Sequence, residues 1–83
     1  MLNRPKIIEV TPHQDYTLDI MLSDNRKLKL DMQRFLEYPA YRKLVHIGLF
    51  LSIKHDERLI YWDDMHDMHI DQILEFGKVM SNG

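Results

Sequence analysis

Side chains able to do chemistry crowd into one stretch, Trp62-Asp63-Asp64-Met65-His66-Asp67-Met68-His69-Ile70-Asp71. It holds the single tryptophan, four of the nine aspartates and two of the five histidines. Imidazoles and carboxylates together form the donor set of zinc- and manganese-type centres. His66 and His69 would share a face if the segment were helical, and Asp67 and Asp71 could complete the set. The helical pattern begins only at Ile70, however, so the spacing does not by itself make these ligands converge, as a metal site requires.

The competing reading of the same residues is a structural corner. A strand ends at Trp62, a polar loop turns the chain, and the last helix follows. Asp67 is then a buried or half-buried carboxylate accepting backbone N–H bonds from the turn or the helix start. Trp62 packs over the corner with its indole N–H in need of a partner; its rival role is stacking on a ligand. The structural reading is preferred. His66, Asp67 and His69 remain the metal candidates, and no cofactor is expected.

Elsewhere the chemistry is sparse. With no cysteine there are no disulfides, thiolate metal sites or cysteine nucleophiles. No glycine-rich phosphate loop occurs, and neither Ser23 nor Ser52 lies in a nucleophile motif. His13, His46 and His55 are scattered singly, and the six methionines are spread out as core filler. No catalytic residue is assigned, and a non-enzyme is expected. The outer face of a hairpin offers Arg26, Lys27 and Lys29, but Asp19 and Asp31 neutralise it, which argues against nucleic acid.

The elements that must position these residues follow from periodicity. Lys6–Thr11 reads as a strand closed by Pro12. Tyr16, Leu18, Ile20 and Leu22 alternate with Thr17, Asp19, Met21 and Ser23, and Leu28, Leu30 and Met32 continue the pattern beyond a turn. Opposed residues in a hairpin share a face, so a two-residue loop would set Ile20 against Lys29. A three-residue loop, Ser23-Asp24-Asn25, instead pairs Ile20 with Leu28, Leu18 with Leu30 and Tyr16 with Met32, and sets Asp19 opposite Lys29. Its third position wants a left-handed residue, for which Asn25 is the best choice short of glycine. Pro39 splits Asp31–Val45 into two short helical turns. Leu49–Lys54 is a third alternating run, His55–Arg58 a polar turn, and Leu59–Trp62 a returning strand. Ile70, Ile73, Leu74 and Gly77 set a final helix over roughly residues 70–80, with Asp71 in its first turn, Lys78 in its last, and Phe76 and Val79 widening its apolar face. The class is α+β: a small antiparallel sheet of about four or five strands, short helical segments and a C-terminal helix.

At 83 residues the chain forms one domain, 1–83, that buries only about 60% of its unfolded surface. Added burial against a second copy or a small partner protein is therefore attractive. Up to Lys54 nine basic residues face six acidic ones; from His55 onward two face seven. Neither balance makes a nucleic-acid footprint. No secretion signal opens the chain and no apolar run nears the ~20 residues needed to span a bilayer, so no membrane partner and a cytoplasmic location are expected.

The hairpin with its Ser-Asp-Asn turn, then Leu44 and Phe50, then Trp62, Asp67, Asp71 and Ile73 at their spacing, resemble over nearly the whole chain a small bacterial family, domain of unknown function 2442. In that family the hairpin turn usually reads Ser/Thr-Asp-Gly. A strand ending in Trp leads to a Pro-Asn-Gly-like turn, an Asp, and a helix opened by Pro-Asp/Glu. Trp62, Asp67 and Asp71 match; Asn25 replaces the usual glycine, Asp63-Asp64-Met65 the Pro-Asn-Gly turn, and Ile70 the proline. These departures bear on turn geometry rather than fold. The resemblance implies an α+β domain and carries no catalytic residue with it. Some members continue into a helix-turn-helix domain, which this chain is expected to lack. It also implies a toxin–antitoxin-like or regulatory pairing. The reading reached is a non-enzymatic protein-interaction module, homodimeric or partner-bound, in which Trp62, Asp67 and Asp71 are structural. The alternative is a metal- or small-molecule-binding protein using the Asp63–Asp71 segment.

Overall fold

The computed structural model describes residues 4–63 and 66–80. Strands β1 (Ile7–Pro12), β2 (Thr17–Leu22) and β3 (Lys27–Asp31) form an antiparallel meander. Strands β4 (Lys54–His55), β5 (Leu59–Asp63) and β6 (His66–His69) form a second antiparallel sheet in the order β4-β5-β6. Helix α1 (Ile47–Leu51) precedes β4, and helix α2 (Ile70–Phe76) follows β6 directly. The chain closes with β7 (Lys78–Val79) on the free edge of β3, giving a four-stranded sheet in the order β1-β2-β3-β7. The class is α+β with antiparallel strands, divided into sheets of four and three.

The β2–β3 hairpin has the register set by parity. Ile20 pairs with Leu28, Leu18 with Leu30 and Asp19 with Lys29. Asn25 takes φ 72°, the left-handed value the third loop position demands. The ladder itself ends at Thr17–Asp31; beyond it the Met32 amide donates to the Tyr16 carbonyl at 2.8 Å. Tyr16 lies outside the strand at φ 65°, a costly conformation for a bulky side chain. Its ring meets Phe50 edge-on at 5.2 Å and its hydroxyl donates to the Val45 carbonyl, contacts that offset the strain.

Two segments differ from the expectation. Gln33–Phe35 and Arg42–Val45 are the two 3-10 turns on either side of Pro39. The run from Leu49, however, is not a strand: Ile47–Leu51 is helical, and only Lys54–His55 pairs in the sheet. Short apolar runs satisfy either period, and burial of the single side chain Phe50 decides in favour of the helix. The last helix is also shorter than its pattern. It stops at Phe76, Gly77 turns extended at ψ 151°, and Lys78 and Val79 join the first sheet, so Lys78 is not in a helix and Val79 is exposed.

The core lies between the sheets. Leu18, Ile20 and Leu22 of β2 and Leu28 and Leu30 of β3 face Ile60, Trp62 and Met68 of the second sheet, with Met32, Leu44, Phe50 and Ile73 filling the remaining space. The sheets are also linked through backbone, the Ile7 N–H donating to the Glu57 carbonyl at 2.9 Å, while the Ile70 N–H, donating to the Arg58 carbonyl at 2.8 Å, extends the β5–β6 pairing. Among the described residues no helix is long and apolar enough to cross a membrane.

Candidate functional site

The Asp/His-rich stretch is not a solvated loop: its second half is strand β6, paired to β5 through Leu59–His69, Ile60–Met68 and Tyr61–Asp67. Asp64 and Met65 lie outside the described residues. Strand geometry alternates side chains between faces, so an odd separation sends His66 and His69 to opposite faces. The burial pattern follows: His66 and Met68 point inward, Asp67 and His69 outward. A helical face, the condition under which the two imidazoles would converge, does not exist here.

Each candidate therefore has its own surroundings. The His66 Nδ1 lies 2.6 Å from the Asp63 Oδ1, at a bulge where the register shifts between Tyr61 and Asp63. Asp67 is exposed rather than buried at a turn, because its parity on β6 turns it outward. Its backbone carbonyl accepts from the Tyr41 hydroxyl at 3.1 Å. Burial, and then the Asp67 charge, push the Tyr41 phenol above its ordinary range. His69 is the N-cap of α2: its Nδ1 accepts from the Asp71 N–H at 3.2 Å, and the Gln72 Oε1 accepts from the His69 N–H at 3.4 Å. This arrangement is a capping box with histidine in place of serine or threonine. Asp71 reaches Arg4 at 2.9 Å. The structure brings His66 to Asp63 and His69 to Asp71, but no three of the described His, Asp and Glu side chains into one candidate metal group.

Trp62 is 5% exposed, and no face of its ring is open to a ligand. Its Nε1–H donates to the Phe50 carbonyl at 3.0 Å, and its ring stacks on Phe50 at 6.1 Å with 24° between planes. On the outer face of the hairpin Asp24 holds Arg26 at 2.7 Å, and Asp19, opposite Lys29, holds His13 at 2.9 Å.

Two surfaces were not singled out by sequence. The first is aliphatic: Val45, Ile47 and Leu51 are 51%, 37% and 37% exposed around α1. The i, i+4 spacing of Ile47 and Leu51 was the available signal, but it is visible only once the segment is known to be helical. The second is a basic cleft of about 730 Å³ where Arg4 and Lys6, Ser23, Arg58 and His69 meet. These residues come from separate parts of the chain, and no local pattern joins them.

Comparison with curated proteins and with solved structures yields no match. A family model does match, over residues 7–78, which takes in both sheets, the Trp62–Asp71 stretch and α2. The chain belongs to the family described as protein of unknown function (DUF2442).

Proposed function

We propose that the chain is a non-enzymatic protein-interaction module that pairs with a second copy of itself through the outer face of α1. The observation supporting this is the exposed aliphatic pair Ile47 and Leu51, presented by a helix whose Phe50 is fully buried, with exposed Val45 in the 3-10 turn just before it. The patch is thus fixed to the core and needs no rearrangement to dock. A small domain with a thin core gains from covering such a surface.

The sheet edges are poorer contact surfaces. Strand β1 has a register break between Ile7 and Glu9 in its pairing with β2, gives the Ile7 N–H to Glu57, and ends in Pro12. Each of these blunts strand addition. Tyr41 caps one carbonyl of the β6 edge. A partner in a toxin–antitoxin-like or regulatory pair would use the same α1 surface.

Sedimentation across a wide concentration range, with and without chelator, tests the reading. The expected result is a dimer that dissociates on dilution, ignores chelator, and is lost in the double variant Ile47→Glu, Leu51→Glu. These residues are part-exposed at the surface, so the variant should keep its fold, checked by circular dichroism. A monomer at every concentration overturns the self-pairing. A fold destabilised by chelator would move His66, Asp67 and His69 back to the front.

A further inference from the structure

The basic cleft is separate from the α1 surface and carries its own chemistry. We infer that it binds a small phosphate-bearing ligand of roughly nucleotide size. Its volume of about 730 Å³ falls within the range of small-molecule sites, about 300–1,000 Å³. Arg4 and Lys6 reach it from the segment before β1, and Arg58 from the turn between β4 and β5. His69 enters from the β6–α2 junction and Ser23 from the hairpin loop.

The backbone that carries these donors is held before any ligand arrives. The Lys6 N–H donates to the Ser23 Oγ and the Ser23 N–H to the Lys6 carbonyl, both at 2.8 Å. Arg58 is pinned on both sides of its own peptide unit: its N–H donates to the Asp56 Oδ1 at 2.7 Å, and its carbonyl accepts from the Ile70 N–H at 2.8 Å. Backbone fixed in this way lowers the ordering cost of binding. The Ser23 Oγ, used as an acceptor, keeps its own hydrogen to donate. The His69 Nδ1, accepting from the Asp71 N–H, leaves its proton on Nε2 as a further donor.

The charge balance selects the anion. Asp71 holds Arg4 at 2.9 Å and Glu57 holds Lys6 at 3.6 Å, but all four side chains are more than half exposed, so both pairs open at little cost. Arg58 makes no ion pair within 4 Å among the described residues, though, after the bond from its N–H, its charge helps to hold the nearby Asp56 carboxyl down. Three cations around one concavity suit a multiply charged oxyanion better than a single carboxylate, and two guanidiniums supply the planar forks that phosphate oxygens favour. Half-buried Pro5 gives the organic part of the ligand a small apolar surface. An extended nucleic acid would want a long basic face, whereas these cations converge on one cleft.

Thermal melts of the full chain with pyrophosphate, AMP and ATP, against sodium chloride of matched ionic strength, test the inference. A saturable rise in Tm is expected, roughly 5–10 °C at tenfold excess over Kd. Amide NMR shifts should centre on Ser23, Arg58 and His69. Arg58→Gln should weaken binding at least about tenfold, the usual worth of a hydrogen bond to a charged group. Arg58→Lys, which keeps the charge but loses the fork, should fall between. No saturable rise, or affinity unchanged in Arg58→Gln, overturns the inference. A random single-stranded oligonucleotide binding far more tightly than ATP also overturns it, replacing a small-ligand cleft with a nucleic-acid surface.

Discussion

Asp56 holds the turn between β4 and β5 with one oxygen. Its Oδ1 accepts from the Arg58 N–H at 2.7 Å and the Leu59 N–H at 2.9 Å, and these bonds hold its carboxyl below the ordinary value of 3.8. Asp15 does the same at the β1–β2 turn through the Thr17 hydroxyl and N–H, and Asp24 in the hairpin loop through Arg26. A carboxyl with a depressed folded value binds its proton more readily in the unfolded chain. The stability it contributes is complete above the unfolded value and is lost as pH falls through the folded one. The fold should therefore weaken on acidification below about pH 4, where such carboxyls begin to take up protons. Asp56→Asn keeps an oxygen acceptor but cannot titrate. Its Tm should be slightly lower than wild type at pH 7, and the gap should narrow or close at pH 3. A gap that is the same at both pH values would mean the Asp56 charge contributes nothing to the turn. The side-chain type made such turns legible in sequence, as did the left-handed position of Asn25. Tyr16 was not legible, because nothing local predicts a bulky residue at φ 65° held by distant Phe50 and Val45.

At the scale of elements, two glycines separate conformation from space. Gly77 ends α2 with an ordinary φ of −74°, so its backbone alone would accept any residue. Space forbids it: a Cβ there would lie 2.7 Å from the Ile73 carbonyl oxygen and 3.4 Å from Leu28. Gly77→Ala must push the α2–β7 junction off β3, at about 1–3 kcal/mol. The Met80 N–H, which donates to the Lys27 carbonyl at 2.8 Å, should exchange faster while the β2–β3 ladder keeps its protection. Gly48, inside α1 with nothing within 4 Å of its notional Cβ, gives the opposite sign. Gly48→Ala should stabilise by about 0.5–1 kcal/mol through helix propensity, read from urea denaturation. Equal effects at the two positions would contradict this division. The same elements mark where periodicity runs out. Ile20, Leu28 and their neighbours fix the hairpin because a slip of one residue exposes the whole apolar face. Leu49, Phe50 and Leu51 fit helix and strand alike, and Val79 fits a helical face although pairing with Leu28 puts it in a strand. Burial of Phe50 decided the first place, and pairing with β3 outweighed the local pattern at the second.

At the scale of the whole molecule, the candidate sites depend on how two sheets meet, and sequence carried that least. The spacing of His66 and His69 would bring them together only on a helix, and strand β6 sends them to opposite faces. The cleft needs Arg4, Lys6, Ser23, Arg58 and His69 together, and only the packing of the sheets supplies that. Trp62 is the side chain that couples the second sheet to α1, by its bond to the Phe50 carbonyl and its stacking on the Phe50 ring. Phe50 in turn contacts Tyr16, the residue just before β2, so one aromatic line runs across the core from the second sheet to the edge of the first. Truncating its Trp62 end leaves a void and removes the partner of the Phe50 carbonyl. Trp62→Phe should cost about 2–4 kcal/mol by denaturant titration followed by circular dichroism. As the single tryptophan, Trp62 also reports on that line in the wild-type chain. Its fluorescence and the far-ultraviolet signal should change in one shared transition if the sheets unfold together. If the fluorescence changes first, the second sheet detaches before the hairpin sheet melts. A cleft built from both sheets would then be lost before global unfolding, and ligand would raise the earlier transition more than the later one.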